Sequence, residues 1–323
     1  MSRLAFTSSL ARALTEFIEE KRAIGYRYLS EVDWLRLFDR HLVAVGHSGA
    51  DLPRAVVRGW IAKRPHESGK THSSRVCVLR QFTQFLLRQG RDAYVPDSRL
   101  GPVYRNNFKP WIFTRGQMKD LLTAVDGLSH DCRAPHRHLV MPELFRVLYG
   151  CGLRCGEAVR LAVGDVGLSD GVLTIREGKF RQDRLVPMAN GLVDRLRVYA
   201  RALDARSCDS AFFPAPHGGA YSTDRIYDIF RRLLRAVGIS HGGPGAGPRL
   251  HDLRATFAVH RVEAWYRDGA DLGAKLPILS AYMGHLSLAG TQKYLRLTLA
   301  IFPGLARHFE QAYGHLLPRP PVS

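Results

Sequence analysis

Gly-Leu-Arg-Cys-Gly-Glu at 152–157 and His-Asp-Leu-Arg at 251–254 are the stretches of this chain that indicate its architecture. Two more belong with them, Gly-Lys at 178–179 and Gly-His at 284–285, which a tyrosine follows nine residues after the histidine. Together they supply two arginines, a lysine, two histidines and a tyrosine, without acidic residues in metal-ligand spacing. Arginine binds phosphate oxygens bidentately, lysine and histidine transfer protons, and a tyrosine hydroxyl can attack phosphorus. The set predicts work on a phosphodiester without a metal or other cofactor.

These stretches closely resemble the tyrosine recombinase, or phage-integrase-like, family. That family is recognised by an Arg, Lys, His-x-x-Arg, His or Trp, and Tyr set, and all six positions match in order and spacing. The resemblance covers roughly residues 113–300 with specific motifs and residues 1–100 by general organisation only. The residues that it implies as catalytic are Arg154, Lys179, His251, Arg254, His285 and the nucleophile Tyr294.

The resemblance also implies individual roles. Arg154 and Arg254 would clamp the phosphate, while Glu157 would orient the site. Lys179 would protonate the leaving 5′ oxygen, and Arg181 is the alternative if the register is misjudged; Arg181 is also a candidate DNA contact. His251 would transfer a proton or donate a hydrogen bond, and His285 would support the scissile phosphate.

Each residue also has an ordinary structural explanation when it is taken alone. Arg154 and Glu157 could be a surface ion pair, because residues three apart share a helical face. Lys179 could be a solvated turn residue, and Tyr294 could be half-buried packing. A separate cluster, His130-x-Cys132-x3-His136-x-His138, could bind a metal, but its spacing is not that of a standard zinc finger and we expect no metal.

Charge points to a polyanionic partner. The 323 residues carry a net charge of +18, and residues 1–100 contain 17 basic against 10 acidic side chains, so both parts of the chain are basic. Two basic folded units favour a polyanionic partner that is wrapped by the whole protein, and the family resemblance implies that this partner is double-stranded DNA. The five cysteines lack the spacing of a disulfide framework, and neither a signal peptide nor a membrane span is visible, so we expect a cytoplasmic protein.

The hydrophobic pattern predicts a mainly α-helical chain with a small β-sheet. Residues 1–97 show four amphipathic helical segments and would form the helical core-binding domain that the family carries before its catalytic domain. In the last of these helices, near 72–88, Arg75, Arg80 and Arg88 are candidate DNA contacts. Residues 98–112 read as a linker because prolines and a glycine interrupt the pattern.

The remainder predicts a mixed α/β catalytic domain over 113–314 and a frayed tail over 315–323. Thr114 and Gln117 form a capping-box signature, and residues 172–175 and 184–187 read as a hairpin with Lys179 in or near its turn. An apolar stripe near 301–313 predicts a C-terminal helix that packs either on its own domain or on a neighbouring protomer.

Three functions therefore remain open. The first is a site-specific recombinase or integrase that acts as a homotetramer on paired sites, with sister recombinases as further partners. The second is a type IB topoisomerase, which has related chemistry but acts as a monomer. The third is a non-cleaving DNA-binding protein, against which the complete six-residue set argues. The segment 19–28 loosely resembles recombinases of transposon-like mobile elements.

Overall fold

The computed structural model describes residues 5–97, 109–176, 183–203, 206–243, 247–285, 287 and 289–295. The chain divides into two compact units, with the boundary after residue 108. Helices predominate in both units, and the second contains a three-stranded sheet. The predicted mainly α-helical fold with a small sheet is therefore confirmed. No described helix combines the length and apolar character that crossing a membrane requires.

The described part of the first unit contains the four predicted helices, packed around one aromatic core. They are α1 (Ala11–Ala23), α2 (Leu29–Ala44), α3 (Arg54–Ile61) and α4 (Gly69–Arg88). The Phe82 ring lies 5.5 Å from Phe17 and 6.2 Å from Phe38, centroid to centroid, so one side chain of α4 joins α1 and α2. The predicted apolar stripes therefore face a common interior.

Arg75 does not lie on an exposed basic face, and the prediction that it contacts DNA is wrong. Its side chain is 0% exposed and forms an ion pair with Glu67, from Nε to Oε1 at 2.6 Å and from Nη2 to Oε2 at 2.8 Å. The guanidinium also donates to the carbonyls of Trp60 and Ala62. Its spacing from Leu79 places Arg75 on the apolar stripe of α4, and the loop before α4 supplies the partner that makes this burial possible.

The second unit builds its core from helices and one antiparallel sheet. Its described helices are α5 (Arg115–Asp126), α6 (Arg137–Gly150), α7 (Cys155–Ala158), α8 (Asn190–Ala202), α9 (Thr223–Ala236), α10 (Asp252–Arg267), α11 (Leu272–Met283) and α12 (Ala289–Leu295). The strands are β1 (Val166–Gly167), β2 (Val172–Ile175) and β3 (Arg184–Pro187), which lie in this order and pair antiparallel. The predicted hairpin and the Thr114–Gln117 capping box are both present.

Helix α10 is the central support of the site. All of its first nine positions are buried, and its apolar residues share a cluster with α11 and with Tyr294 of α12. Thr256, in the same helix, accepts a hydrogen bond from the backbone N–H of Phe113 at 3.1 Å, which ties the start of the second unit to α10. The elements that carry the predicted site residues therefore pack on one buried helix.

The Arg75–Glu67 pair should dominate the stability of the first unit. Replacing Glu67 with Gln leaves a buried guanidinium without its counter-charge, so we expect the free energy of unfolding to fall by about 3–5 kcal/mol. Urea denaturation of the full chain, followed by tryptophan fluorescence, measures the change. Glu20→Gln is the matched control: it breaks the Glu20–Arg88 pair, which is 38% and 55% exposed, and should cost less than about 1 kcal/mol.

The same pair predicts an acid dependence. The hydrogen bond from Arg75 lowers the pKa of Glu67 from 4.5 to about 2. Because the folded-state pKa lies below the ordinary one, the stabilisation is complete above pH 4.5 and is lost as the pH falls towards 2. The difference in stability between the wild type and Glu67→Gln should shrink over that interval; a constant difference would contradict this role of the ion pair.

Candidate active site

Arg154 is presented by a tight turn between α6 and α7. The backbone reverses at Gly152, whose φ of +59° lies in the left-handed region that glycine adopts without strain. A methyl group at this position would come within 2.3 Å of the Phe257 ring, so the turn also requires the absence of a side chain. Arg154 follows two residues later, directly before α7, with 23% of its side chain exposed. The turn thus places a cation at the edge of the core.

Glu157 is a buried carboxylate shared by two arginines. Its Oε1 accepts from Arg154 Nη1 at 2.6 Å, and its Oε2 accepts from the backbone N–H of Arg154 at 3.0 Å. Arg184, the first residue of β3, donates from Nη1 to Oε1 at 3.1 Å and from Nη2 to Oε2 at 2.8 Å. The Glu157 side chain is 2% exposed, so these bonds form away from bulk water. The predicted orienting residue is thus in contact with the predicted phosphate-binding arginine.

The charge state of Glu157 follows from these contacts. Burial raises the pKa of the carboxyl group, but the hydrogen bonds from Arg184 and Arg154 outweigh burial and lower the pKa to about 2. Glu157 is therefore ionised at neutral pH. Two guanidiniums around one carboxylate leave this group of three with a net charge of +1.

The carboxyl end of α11 holds three arginines at once. The last carbonyls of a helix have no partner within the helix and carry partial negative charge, so cations bind there. Here three consecutive carbonyls, at positions 282–284, each accept a hydrogen bond from a different guanidinium. The pairs are Arg184 Nε to Tyr282 O at 3.0 Å, Arg254 Nη2 to Met283 O, and Arg154 Nη2 to Gly284 O at 3.1 Å.

Arg254 lies in the first turn of α10 and is 1% exposed. It donates from Nη1 to the carbonyl of Gly152 at 2.6 Å, which links α10 to the turn before Arg154. Burial and the nearby charge of Arg154 lower the pKa of Arg254 to about 10. The guanidinium therefore keeps its charge at neutral pH, although its environment disfavours that charge.

His285 connects Arg254 to the predicted nucleophile. Its Nε2 lies 3.2 Å from Arg254 Nη2, and its Nδ1 lies 2.7 Å from Thr291 Oγ1. A guanidinium only donates hydrogen bonds, so Nε2 must accept and Nδ1 carries the proton that it donates to Thr291. The contacts therefore assign the neutral Nδ1–H tautomer to His285. Its ring is stacked on the Tyr294 ring, with centroids 6.0 Å apart and planes inclined by 29°.

Tyr294 lies in α12 and is 1% exposed, so its ring and hydroxyl are shielded from solvent. Burial raises the pKa of the hydroxyl above its ordinary value, while the charges of Arg254 and Arg154 act in the opposite direction. The hydroxyl is protonated at neutral pH. The arginines that would bind a phosphate are thus also the groups that favour the ionised form of the tyrosine.

The remaining predicted residues are placed differently. His251 lies directly before α10, one turn ahead of Arg254, and its side chain is exposed. Lys179 and Arg181 lie outside the described residues, in the connection between β2 and β3. The structure therefore brings together Arg154, Arg254, His285 and Tyr294, with His251 at the end of the same helix that carries Arg254.

Arg184 is the site residue that the sequence reasoning did not single out. In the sequence it is only the first residue of the second predicted strand of the hairpin, 184–187. A signal was available, because strand alternation places Arg184 on the same side as Val186, which is 0% exposed. Its partner lies 27 residues earlier in the chain, and that pairing has no local signature.

The alternative metal cluster finds no support in the geometry. The rings of His130 and His138 are 5.5 Å apart, centroid to centroid. Within the described ranges, no group of three or more His, Cys, Asp or Glu side chains is arranged to hold a metal ion.

Comparisons with known proteins agree with this geometry. Residues 112–300 match the model of the phage integrase family. The chain is 31% identical to the integrase/recombinase y4rE of Sinorhizobium fredii over 294 residues, which cover 90% of this chain and 93% of that protein. It is 30% identical to the tyrosine recombinase XerC of Chromobacterium violaceum over 270 residues, 82% of this chain and 82% of that one. Among solved structures, XerH recombinase bound to difH DNA has a TM-score of 0.62 at 17% identity and covers 89% of this chain and 80% of its own.

The chain belongs to the phage integrase family, the tyrosine recombinases. It is accordingly an enzyme of site-specific DNA strand cleavage and rejoining. The family resemblance that the sequence motifs indicated is confirmed.

Gly152 offers a direct test of the turn that presents Arg154. Gly152→Ala should destabilise the protein by more than the roughly 1–2 kcal/mol that a left-handed residue with a side chain costs, because its methyl group also meets the Phe257 ring. Gly238→Ala is the control, since its φ is +70° and no atom lies within 4 Å of the added carbon. Chemical denaturation of both variants measures the difference; equal losses would show that Phe257 imposes no additional constraint.

Proposed function

We propose that this chain is a recombinase of a mobile element that cleaves double-stranded DNA by forming a 3′-phosphotyrosyl bond to Tyr294. The observation that carries the proposal is that the Tyr294 ring stacks on His285, which lies beside Arg254, with Arg154 held at the same helix end. Family membership supports the reaction class. The assignment to a mobile element is supported by a shared fold with the Tn1549 transposon integrase, TM-score 0.62 at 19% identity over 87% of this chain and 94% of that one.

In the proposed reaction the Tyr294 oxygen attacks the scissile phosphorus. A bond forms between that oxygen and phosphorus, and the bond from phosphorus to the 5′ oxygen breaks. The tyrosine hydroxyl passes its proton to His251, and the leaving 5′ oxygen takes one from Lys179. The phosphodiester linkage is conserved in the intermediate, so attack by the 5′ hydroxyl of another strand rejoins DNA without ATP.

Positive charge at the site would stabilise the negative charge on the oxygens of the five-coordinate transition state. Arg154 and Arg254 would bind its non-bridging oxygens, protonated His251 would donate a hydrogen bond to it, and His285 would support the site through the Nε2 contact with Arg254. Donors fixed in advance at a position where negative charge develops are worth about 10²–10³ in rate each. Glu157 takes no part in the chemistry in this proposal; it orients Arg154.

The burial of Tyr294 adds a condition. A side chain that is 1% exposed cannot meet a phosphate of a DNA duplex without a change in its surroundings. We therefore propose that α12 shifts relative to α10 when DNA binds, which would bring the hydroxyl to the phosphate held by the arginines. The charge of that phosphate would replace part of the hydrogen bonding that Arg254 now gives to His285.

In the first unit, α4 is the proposed DNA contact. Arg88 is exposed and Arg80 is half-buried, so both remain candidates for phosphate contacts, whereas Arg75 is excluded by its burial. The exposed stripe of α4 also carries Ser74 and Cys77.

A cavity of about 710 Å³ lies beside that stripe and supports the same assignment. Its lining is mixed: it includes the basic and polar side chains of Lys21, Arg27, Ser73 and Gln81, but also apolar and aromatic residues and the acidic Glu31. Hydroxyl and amide groups of this kind can bind base edges, and the cations can bind phosphates. This unit would then act as a core-binding domain over residues 1–97, with 98–112 as the linker and 113–314 as the catalytic domain.

Assembly distinguishes the recombinase from the type IB topoisomerase. We propose a homotetramer on paired sites, with room for sister recombinases; the predicted C-terminal helix lies outside the described residues. A two-site strand-exchange assay tests this, since recombinant joints require two duplexes held together. Relaxation of plasmids by single protomers, without any joint between duplexes, would favour the topoisomerase instead.

The nucleophile can be tested with a nicked duplex that traps the covalent intermediate. Tyr294→Phe removes only the hydroxyl, so DNA binding should persist while the denaturation-stable adduct disappears. Tyr282→Phe is the control: Tyr282 also lies close to the arginines, and its hydroxyl donates to the Pro187 carbonyl at 2.9 Å. An adduct that survives in Tyr294→Phe, or is lost in Tyr282→Phe, would contradict the assignment.

Cleavage should also proceed in EDTA and without ATP. The reason is that two arginines, together with histidine and lysine side chains, can supply the charge stabilisation and the proton that the reaction needs. The adduct assay, run with and without EDTA on the same nicked duplex, measures this directly. A strict requirement for Mg²⁺ in the cleavage step would contradict the mechanism.

A further inference from the structure

We propose that Arg184, which lies outside the six-residue set, is a positioning residue for strand cleavage because it shares the Glu157 carboxylate with Arg154 and so leaves Arg154 free to bind phosphate. This inference rests on the function proposed above. It concerns the same site but assigns a role to a residue that neither the family motif nor the comparisons single out.

The contacts of Arg184 point to one function. Its Nη1 and Nη2 bind both oxygens of Glu157, at 3.1 and 2.8 Å, in the fork geometry that only arginine offers. Its Nε donates to the Tyr282 carbonyl at 3.0 Å, in the helix end that also holds Arg154. The side chain is 11% exposed, so it is held in place rather than solvated. Arg184 therefore fixes the carboxylate relative to the helix end.

Arg184 also determines the net charge around Arg154. Arg154 and Glu157 alone would form a neutral pair, with Arg154 Nη1 already 2.6 Å from the carboxylate. A neutral pair has little attraction for a phosphate. Arg184 adds one positive charge and takes part of the hydrogen-bonding capacity of the carboxylate. The group of three keeps a net charge of +1, and Arg154 can then turn its free donors to the phosphate.

Gly284 shows how closely this arrangement is packed. Its φ of +63° ends α11, and an added methyl carbon would lie 3.0 Å from Arg184 Nη1 and 3.1 Å from Arg184 Cδ. The absence of a side chain at Gly284 is therefore a condition for Arg184 to reach both Glu157 and the helix end.

The experiment is a single-turnover cleavage assay on a nicked duplex, with the DNA concentration varied. Arg184→Gln should lower the maximal cleavage rate by about 10- to 100-fold, by analogy with the loss of residues that orient the ligands of a catalytic metal. The half-saturating DNA concentration should stay unchanged, because many other cations support binding. Arg184→Lys keeps the charge but loses the fork, so its rate should lie between those of Arg184→Gln and the wild type.

The decisive variant combines Arg184→Gln with Glu157→Gln. If Arg184 acts by offsetting the carboxylate, removing that carboxylate should release Arg154, and the double variant should cleave faster than Arg184→Gln alone. Removing both members of a buried ion pair is also less damaging than removing one. A double variant that is as slow as Arg184→Gln, or slower, would overturn the proposal.

Arg195→Gln is the control for loss of an arginine that pairs with a buried carboxylate; the Arg195 side chain is 48% exposed and that of Glu143 is 7% exposed. Arg195 binds both oxygens of Glu143, at 3.1 and 2.6 Å, in the same unit but through α8 and α6. The Arg195→Gln substitution should leave the cleavage rate unchanged, and a loss equal to that of Arg184→Gln would show that Arg184 acts only through general stability.

Tyr294→Phe separates the two proposals. If the adduct persists in Tyr294→Phe, the proposed function fails and this inference with it. If the adduct is lost there but Arg184→Gln cleaves at the wild-type rate, only this inference fails.

Discussion

The carboxyl end of α11 is the constraint on which the site depends. A helix leaves its last carbonyl groups without partners in the helix, and here three consecutive carbonyls bind three arginines from three different elements. Arg154 comes from the turn before α7, Arg184 from β3 and Arg254 from α10. The distance between these guanidiniums is therefore set by the spacing of carbonyls along one backbone. Beside these carbonyls, one carboxylate, that of Glu157, orders two of the three cations.

Carbonyl groups as partners have an electrostatic consequence. A carboxylate cancels the charge of an arginine, whereas a carbonyl dipole orients it and leaves most of its charge available to a ligand. The first unit shows the contrast, because Arg75 is matched by Glu67 and is 0% exposed, which is the environment of a structural residue. In the second unit, Arg154 and Arg184 share one carboxylate, that of Glu157. Arg254 instead donates to carbonyl oxygens and to His285. The surplus positive charge at α11 is what a phosphate would neutralise.

Local patterns in the sequence predict the secondary-structure elements and most residues of the site. They do not predict contacts between residues that are distant in the chain. Thr114 and Gln117 predict the start of α5 because both members of a capping box lie within one turn. The motif positions predict Arg154, Arg254, His285 and Tyr294, which the structure brings together. Arg75 was misjudged because a basic residue on an apolar stripe requires a buried partner, and Glu67 lies in a loop whose path the sequence does not define. Arg184 was overlooked for the same reason, since Glu157 belongs to another element.

Tyr294 is buried next to the arginines that supply the positive charge of the site. In the structure the hydroxyl is shielded and protonated, so the residue is protected from reaction with anything that does not also rearrange α12. The guanidiniums of Arg254 and Arg154, which would bind the phosphate, lower the pKa of the Tyr294 hydroxyl. Burial raises that pKa by more. If DNA binding moves α12, the desolvation that now raises the pKa of the hydroxyl is relieved while the arginines stay fixed by α11. Activation of the nucleophile would then follow from substrate binding itself, because the phosphate and the tyrosine would meet at cations whose positions do not change.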